Sequence, residues 1–565
     1  MSQHSSSRAQ AIVLAVAMLG LPAFVFGQPP AAQQPPAKAQ AAAGETRRLS
    51  VNDAVQLALE QNLNIQVQRL SPQMQDLNVA QVRTAYTPNF STTFSTSSTD
   101  SPVGSFLAGA ATKLTQENFL ANVSANQLFS WGGSYSVSWD SSRGKSNSLF
   151  SSPNPALRST LNLNYTQPLV RNFKIDSVRQ QLLITGKNRE ISDVQLRQTV
   201  LSTLRDVKNA YWELEYANQS LIVQRQSLDL ARESLKNNQE RVRIGTMAPI
   251  DIVEAQAEVA QREESVILAE AEVSRAEDRL RTLIYDPSTP GFWNLRLELT
   301  DHPAFDARPI DLEAAVRNAL DKRTDLAQAR KSLEASDINI RYFRNQALPD
   351  VSVQANYGLS GQGGTAIEYG SGFPPSIIGQ SSTSYGSVLR TLLGNDFPSW
   401  TVGVTVGYPI GQSSAQAGLA RAKLQYSQVQ LQIRNTELQI ASQVREAARQ
   451  VNTNLKRVDA TRASRELSEK RLEAEQKKFA AGMSTSFLVF QAQRDLAVAR
   501  NSELRATLDY NQSLVDFETV QEAPIGVSAG SGLVVDTGAA SLTGAATSAA
   551  STGVGSTAAQ AQRQQ

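Results

Sequence analysis

The chain of 565 residues contains no cysteine, and this absence excludes several kinds of site. It can form no disulfide, no thiolate metal site and no cysteine nucleophile, and no lipid can be attached to a cysteine at a mature N-terminus. Histidine is nearly as scarce: His4 lies in a predicted leader, and His302, alone in a loop, is interpreted as a surface residue. We also find no phosphate-binding loop, no metal-ligand spacing and no nucleophile beside a base. The sequence therefore predicts neither an enzyme nor a cofactor or metal site.

Three further scarcities narrow the class of protein. Aromatic residues make up 6% of the chain, which is thin for a large globular core. The formal net charge is +2, so the charge balance gives no support for binding to nucleic acid. Beyond the first residues, no apolar run reaches the roughly 20 residues that a membrane-spanning helix requires.

The two ends of the chain have the composition of export and linker segments. Arg8 precedes the apolar run 11–27, which ends in small residues suited to a cleavage site. We therefore predict a cleaved signal peptide at 1–27, with a transmembrane anchor as the alternative. Residues 28–47 are rich in Pro, Ala and Gln, and residues 521–565 in Ala, Ser, Gly and Thr, so both segments are expected to be disordered.

Between these ends the chain repeats itself. The segment LSVNDAVQLALEQNLNIQVQR (49–69) is answered by IDLEAAVRNALDKRTDLAQAR (310–330), at a constant offset of 261 residues that still holds at Pro88 and Pro349. A repeat this long marks a duplicated half-protein in which each half contributes the same elements. The predicted parts are a first repeat (48–286), an inter-repeat linker (287–308) and a second repeat (309–520).

Each repeat contains a very long helical pattern. Apolar residues recur every seven positions along the proline-free stretch 174–243, and the same spacing continues at 252–280 and, with an interruption at Arg465, at 444–479. This period of 3.5 residues is typical of coiled-coil packing, and some 70 residues would form a helix of about 100 Å. An ordinary long coiled coil is the alternative. The first seam consists of Val207, Leu214, Leu221, Leu228 and Leu235, with Ala210, Ala217 and Ala231 between them.

A second pattern, of period two, predicts β-strands with one apolar and one small polar face. Apolar residues alternate with Ser, Thr, Asn and Gly after Pro88, after Gly133, at 161–165, after Pro349 and at 400–408. Aromatic residues near several strand ends are typical of the interfacial girdle of a membrane barrel. The pattern by itself fits two folds, a soluble sandwich and a membrane barrel whose apolar face meets lipid.

The order of the two patterns favours the membrane barrel. Each half runs helix, strand, loop, strand, very long helix, turn and helix, so the strands lie where a long helical hairpin would be capped. Four strands cannot close a barrel alone, because the smallest membrane barrels have about eight, and an open sheet edge in lipid leaves backbone groups unpaired. The chain is therefore predicted to oligomerise, and three copies would give a twelve-stranded barrel.

Three motifs occur twice and in the same order. A helix start of the form AVxxAL begins at Ala54 and again at Ala315. A proline closes each strand pair before the long helix, in TQPL at Pro168 and in GYPI at Pro409. A tip turn between the long helices reads RIGTMAPID in the first repeat and FAAGMSTSF in the second. In these motifs the chain resembles the TolC-type outer-membrane efflux channels, over roughly residues 49–520.

The resemblance implies a fold, a location and partners. The fold would be mainly helical and internally duplicated, with a long antiparallel coiled-coil helical barrel and β-strands that form a trimeric outer-membrane β-barrel of twelve or more strands. The location would be the outer membrane, with a large periplasmic helical domain. The homotrimer would contact outer-membrane lipid, a periplasmic adaptor (membrane fusion) protein and an inner-membrane pump, but no nucleic acid. It would serve efflux or type I secretion as a passive exit duct.

The tip turns are where the resemblance places adaptor docking. Glycine permits a tight reversal of the chain, Pro249 suits the first turn of the outgoing helix, and Asp251 lies near the positive end of that helix. The predicted docking residues are Gly245, Thr246, Met247, Pro249, Gly482, Met483 and Ser484.

Pore closure is expected near the same turns. By similarity, Asp251 and Phe479 match an acidic and an aromatic position used in closure. The family often carries aspartates six and nine residues after the second glycine, whereas this chain has Leu488 and Gln491 there. The second half therefore lacks the family's acidic ring.

A hydrophobic constriction would replace that ring by dewetting rather than by cation binding. It would involve Phe487, Leu488 or Phe490. The alternatives are simple seam packing for these residues and a solvated capping carboxylate for Asp251. The pore-closure candidates are Asp251, Phe479, Phe487, Leu488 and Gln491.

The strand region also departs from the family pattern. Residues 117–143 predict an additional hairpin that turns at Gly132–Gly133, so the first half offers four candidate strands and the second half two. The extra pair would enlarge the barrel, extend it above the membrane or pack at its periplasmic boundary. Loops at about 99–116, 142–157 and 359–397 are expected outside the cell.

Two other functions fit parts of the sequence. An exported periplasmic coiled-coil adaptor or structural protein would explain the heptads but not the strands suited to lipid. A trimeric adhesin of the autotransporter type also joins a coiled coil to a twelve-stranded barrel, but it would carry all its strands at the C-terminus. The division of the strands between two halves favours the channel.

Overall fold

The computed structural model describes residues 46–102, 113–148, 151–288, 292–302, 309–371, 376–411 and 413–525. The predicted signal peptide, most of the 28–47 linker and residues 526–565 of the predicted tail lie outside these ranges. Within them, no helix combines the length and the apolar character needed to cross a membrane.

The helices confirm the internal duplication. The two longest, one in each repeat, have 67 residues each, and the two that follow them have 35 each. The first repeat contributes α1 (Val51–Gln61), α2 (Leu63–Arg83), α3 (Ser177–Arg243) and α4 (Ile250–Ile284). The second contributes α5 (Leu312–Lys322), α6 (Thr324–Gln346), α8 (Ser414–Ala480) and α9 (Ser486–Val520).

Equivalent residues make equivalent contacts in the two repeats. A guanidinium nitrogen of Arg69 donates to the carbonyl oxygen of Leu59 at 2.8 Å, and Arg330 donates to that of Leu320 at 3.2 Å. Each first helix also begins with a side-chain N-cap, from Ser50 or Asp311, that satisfies an otherwise unpaired backbone N–H. The duplication therefore preserves packing and capping together.

The heptad residues form the cores of two helical hairpins, α3 with α4 and α8 with α9. Val207 and Leu214 are buried in the first hairpin, and Val451 and Val458 in the second. The alanines Ala210, Ala217 and Ala231 are also buried, which lets neighbouring helices approach closely. Arg465, which interrupts the second seam, forms ion pairs with Glu503 and Glu469 at 2.5 and 2.9 Å. Such pairing compensates the charge at a seam position.

The strands form a two-stranded parallel sheet and one large antiparallel sheet. The large sheet has the order β2-β3-β4-β5-β7-β8, with β9 paired to β7 below β8. Within the described ranges, its outer edges at β2 and at β9 are open. A helix, α7 (Tyr385–Leu393), lies between β8 and β9 in the sequence. The strands are β1 (Thr46–Leu49), β2 (Asn89–Pro102), β3 (Lys113–Leu128), β4 (Ser134–Ser146), β5 (Ala156–Pro168), β6 (Arg296–Leu299), β7 (Asp350–Tyr369), β8 (Ile377–Thr383) and β9 (Pro398–Gly407).

The predicted extra hairpin is present as β3 and β4, but two other details of the strand prediction were wrong. The second half contains three described strands rather than two, because β7 continues to Tyr369 and pairs with the short strand β8. Parts of the predicted loops 99–116, 142–157 and 359–397 are strand or helix. The sheet continues past the apolar alternation because backbone pairing does not require apolar side chains.

The segments predicted as linkers are partly folded. Strand β1 begins at Thr46, inside the predicted 28–47 linker, and pairs with β6 of the predicted inter-repeat linker, where Phe292 is buried against the first core. Five residues of the predicted tail, 521–525, are also folded: Ala523 is fully buried, and the carbonyl oxygen of Glu522 accepts from the Thr324 N–H at 3.0 Å. These short segments have little apolar periodicity, and their order comes from strand pairing and from packing against the helical cores.

Candidate functional site

The two tip turns have the same backbone geometry. Gly245 and Gly482 adopt φ of +78° and +74°, in the left-handed region that favours glycine. The N–H of the residue after each glycine donates to the carbonyl oxygen five residues earlier, at 2.9 Å for Thr246 and 2.8 Å for Met483. This is the Schellman arrangement, which satisfies the last carbonyl groups of α3 and α8.

The remaining predicted docking residues lie around these glycines. The Thr246 hydroxyl donates to the Arg241 carbonyl oxygen at 3.0 Å, and Met247 is half-buried beside it. Pro249 is the N-cap of α4, one position before the predicted first turn. In the second turn, the side chain of Met483 is 75% exposed, which leaves it free for a partner.

Ser484 organises the second turn through Glu475. Its hydroxyl donates to a carboxylate oxygen of Glu475 at 2.8 Å, and Lys478 pairs with the other oxygen at 2.7 Å. The hydrogen bonds from Lys478 and Ser484 lower the pKa of Glu475 from its ordinary value of 4.5. The equivalent residue of the first repeat is Asn238, which carries no charge, so the two turns have the same backbone but different electrostatics.

Four contacts join the two hairpins near the tip. The Ser486 hydroxyl donates to Asp251 at 3.0 Å, and Arg494 reaches Glu258 at 3.5 Å. Glu258 is 6% exposed, and it also forms an ion pair with Arg262 at 2.7 Å. The other two contacts are a hydrogen bond from Gln493 to Ser234 at 3.3 Å and the guanidinium of Arg241 over the ring of Phe479 at 4.5 Å.

One partner in each of two contacts, Asp251 and Phe479, was predicted from the sequence, whereas the Glu258–Arg494 pair was not. The turn glycines Gly245 and Gly482 are 237 residues apart, and this offset places Glu258 opposite Asp495, so the repeat alignment gave no signal for the pair. No sequence pattern singles out Ser486 or Ser234 either.

The constriction candidates differ in their exposure. Phe487 is 55% exposed and Leu488 is 41% exposed, so both are available to line a pore. Phe490 is 5% exposed and borders a cavity of about 500 Å³ between the ends of α3, α8 and α9, so it packs within the protomer. Gln491 is half-buried beside them. The guanidinium carbon of Arg494 lies 5.9 Å from the ring centroid of Phe487, which places the apolar residues beside the contact between the hairpins.

The single described histidine has a definite structural partner. His302 Nδ1 lies 2.7 Å from a carboxylate oxygen of Glu215, whose side chain is 4% exposed while that of His302 is 71% exposed. The Gln219 amide donates to the same oxygen at 3.0 Å, so the imidazole is one of two partners of this buried carboxylate of α3. The interpretation of His302 as a simple surface residue was incomplete.

Comparison with known proteins identifies the family. The sequence profile of the outer membrane efflux protein family matches residues 132–284 and 315–520. The chain belongs to this family. It is an outer-membrane efflux channel and not an enzyme, with its large sheet in the outer membrane and its long helices in the periplasm. The family assignment argues against the exported coiled-coil adaptor and against the adhesin.

Solved outer-membrane channels share the fold at low sequence identity. The Campylobacter jejuni channel CmeC has a TM-score of 0.58 and 14% identity, over 84% of this chain and 85% of that chain. VceC of Vibrio cholerae has a TM-score of 0.56 and 14% identity, over 84% and 96%. The open state of Neisseria gonorrhoeae MtrE has a TM-score of 0.56 and 16% identity, over 84% and 89%. No curated protein matches the chain.

Proposed function

We propose that the protein is the passive, homotrimeric exit duct of a tripartite efflux or type I secretion system. In this proposal a periplasmic adaptor docks at the tip turns, and an inner-membrane pump supplies the energy. One observation carries the proposal: a single protomer combines a membrane sheet that has open edges with two long helical hairpins. The free ends of these hairpins are joined by the Asp251–Ser486 and Glu258–Arg494 contacts.

The open edges of the sheet support a trimer. Among the described residues, strands β2 and β9 have neighbours on one side only, and residues such as Trp400, Val402 and Val404 are 63–73% exposed. Unpaired backbone groups in lipid cost several kcal/mol each. Joining β9 of one copy to β2 of the next removes this cost, and a rotation that returns to the first copy closes the wall.

The exposed surface of the tips supports adaptor docking. α3 and α8 carry the turns about 100 Å from the sheet. The apolar side chains of Ile244, Ile250 and Met483 are 62–75% exposed there, beside polar helix ends. Apolar groups clustered at the end of a long polar helix fit a protein partner better than bulk water. The docking residues are Gly245, Thr246, Met247, Pro249, Gly482, Met483 and Ser484.

The contacts between the hairpins support closure at the tip. Asp251 and Arg494 hold α4 and α9 of one protomer together, so that the inner helices stay close to the pore axis. Phe487 and Leu488 would then narrow the pore with apolar surface, while Phe479 and Gln491 pack beside them. Opening requires the Asp251–Ser486 and Glu258–Arg494 contacts to separate, which an adaptor achieves only by binding the open arrangement more tightly than the closed one.

Planar-bilayer conductance tests this proposal. Arg494→Glu places two carboxylates together and should raise the resting conductance of the reconstituted channel, whereas Arg494→Lys retains the charge and should leave it low. Arg471→Ala is the matched control, because Arg471 pairs with Asp495 within the second hairpin, at 3.0 Å. Equal conductance in wild type and Arg494→Glu would contradict closure by the Glu258–Arg494 contact. An absence of conductance in every variant would contradict the proposal that the protein is a channel.

A further inference from the structure

The β3–β4 hairpin is inserted into the middle of the membrane sheet. Every residue of β2 from Asn89 to Pro102 has a partner in β3, and β4 pairs with β3 on one side and β5 on the other. Strands β5, β7 and β9 follow in register. The hairpin therefore separates β2 from β5 by two complete strands.

The register continues both faces of the sheet through the hairpin. One row of paired residues crosses six strands with apolar side chains, and the adjacent row crosses the same strands with polar side chains. On the polar face, the Ser91 and Ser124 hydroxyls lie 2.7 Å apart, and Asn122 donates to Asp140 at 2.5 Å. The apolar row is Phe90, Ala125, Val137, Leu163, Tyr357 and Trp400, and the polar row is Asn89, Asn126, Ser136, Asn164, Asn356 and Thr401.

This alternation is what a membrane wall requires. A one-residue slip in any strand would turn its apolar side chains toward the polar face. The register avoids such a slip at every junction, including the two that the hairpin adds. The inserted strands thus have the same division between a lipid face and a water face as the strands around them.

The turn of the hairpin is fixed at the periplasmic end of the sheet. The Gln127 amide donates to the Tyr86 carbonyl oxygen at 2.9 Å, just before β2 begins. Gly132 has φ +94°, and a Cβ there would lie 2.6 Å from a guanidinium nitrogen of Arg179, in the first turn of α3. The hairpin is therefore held at the junctions on both sides and spans the full height of the wall instead of projecting above it.

We propose that the β3–β4 hairpin forms part of the channel wall and sets the width of the outer exit. Strand β8 pairs with β7 above the end of β9, so six strands stand side by side at the apolar level of each protomer. In the trimer of the proposed function, on which this inference rests, the wall has eighteen strands instead of twelve. Because barrel diameter grows roughly linearly with strand number, the exit is about 1.5 times wider and admits bulkier cargo.

The absence of cysteine makes a direct test practicable. Single cysteines replace Val123 and Ser124 on opposite faces of β3, with Val402 and Thr401 on opposite faces of β9 as controls. Each variant carries a nitroxide label in reconstituted trimers, and its accessibility to oxygen, which concentrates in lipid, is compared with its accessibility to a water-soluble nickel chelate. The inference expects the label at 123 to behave like that at 402, and the label at 124 like that at 401.

The outcomes separate this inference from the proposed function. Trimers in which the β9 labels alternate but both β3 labels are reached by the nickel chelate would overturn the hairpin assignment and leave the channel intact. If the β9 labels did not alternate, the sheet would not be in the membrane and both proposals would fall.

A size measurement tests the predicted width. Deleting residues 103–146 removes the hairpin and joins β2 to β5, which run antiparallel as β2 and β3 do, so the remaining sheet keeps its topology. Neutral polyethylene glycols of graded size, added on the extracellular side, should enter the full-length exit up to a radius about 1.5 times that accepted by the deletion variant. Equal thresholds in two assembled trimers would overturn the inference. If the variant does not assemble, the label alternation at 123 and 124 decides.

Discussion

The two repeats agree in their helices and differ in their sheet. The starts of β2 and β7 are separated by 261 residues, but those of α3 and α8 by 237. The first repeat has added the β3–β4 hairpin, whereas the second has added β8 and α7. The long helices that follow have kept identical lengths.

The difference follows from the two kinds of packing. One extra residue in a helix rotates everything beyond it by about 100° and removes the seam from its partner, so a coiled coil tolerates few changes of length. A sheet accepts an additional hairpin without turning any existing strand around, because antiparallel strands are added in pairs. The duplication is therefore still visible in the equal lengths of the long helices, whereas the two repeats differ in the strands of the membrane sheet.

The largest expected effect comes from a position where the repeats use different residues. Arg323 is 1% exposed and donates to the Val520 carbonyl oxygen at 3.3 Å, while Asn62, its counterpart, donates to Leu283 at 2.8 Å. Arg323→Ala leaves Asp325 and a buried carbonyl without their partner and should cost about 3 kcal/mol. Asn62→Ala should cost about 1 kcal/mol. Thermal unfolding of the detergent-solubilised protein measures both, and equal losses would contradict the asymmetry.

The next largest effect is expected at the turn glycines, where the two repeats have the same backbone geometry. Gly245→Val and Gly482→Val force a β-branched residue into the left-handed region and should each cost about 1–2 kcal/mol at the tip. Trypsin should then cleave the affected turn faster, and the adaptor should copurify less, while the trimer persists. Gly186→Ala is the control, because Gly186 lies inside α3 with open space around it and its replacement should stabilise the helix. An unassembled, proteolysed product would count against the tip assignment.

A smaller effect is expected at the apolar residues of the second repeat. Leu488→Glu should raise the resting conductance severalfold, because a charge wets a dry constriction. Leu488→Ile keeps the lining apolar and should leave the conductance low. If Leu488→Glu leaves the resting conductance unchanged, Leu488 packs in the helix seam and is not part of the pore constriction.

The smallest expected effect is a difference between the two tip turns in how their stability depends on pH. Because the pKa of Glu475 is lowered, its contribution to stability is complete above about pH 4.5 and is lost as the pH falls through the lowered value. Pepsin should therefore cut the second tip faster between pH 5 and pH 3, while the first tip, with Asn238 at the equivalent position, should respond less. Glu475→Gln should abolish the difference. An identical response of both tips would show that Glu475 does not control it.

Sequence reasoning succeeded where the determinants are local. Heptads and glycines specify the long helices and their turns within a few residues, so α3 and the Gly245 and Gly482 geometry were predictable. β8 pairs locally with β7 but was missed because its sequence, IIGQSST, has no apolar alternation. β6 and the folded residues 521–525 were not predictable, because pairing with a distant strand and burial against a distant core order them. The Glu258–Arg494 contact escaped for the same reason: each residue alone resembles an ordinary surface charge.

The mass of the particle extracted from outer membranes tests the central claim most directly. Light scattering corrected for bound detergent gives the number of chains in each particle. The account predicts three chains, because the edges of one protomer's sheet can be satisfied in lipid only by neighbouring copies. A monomer or dimer recovered from the aqueous fraction without detergent would contradict it.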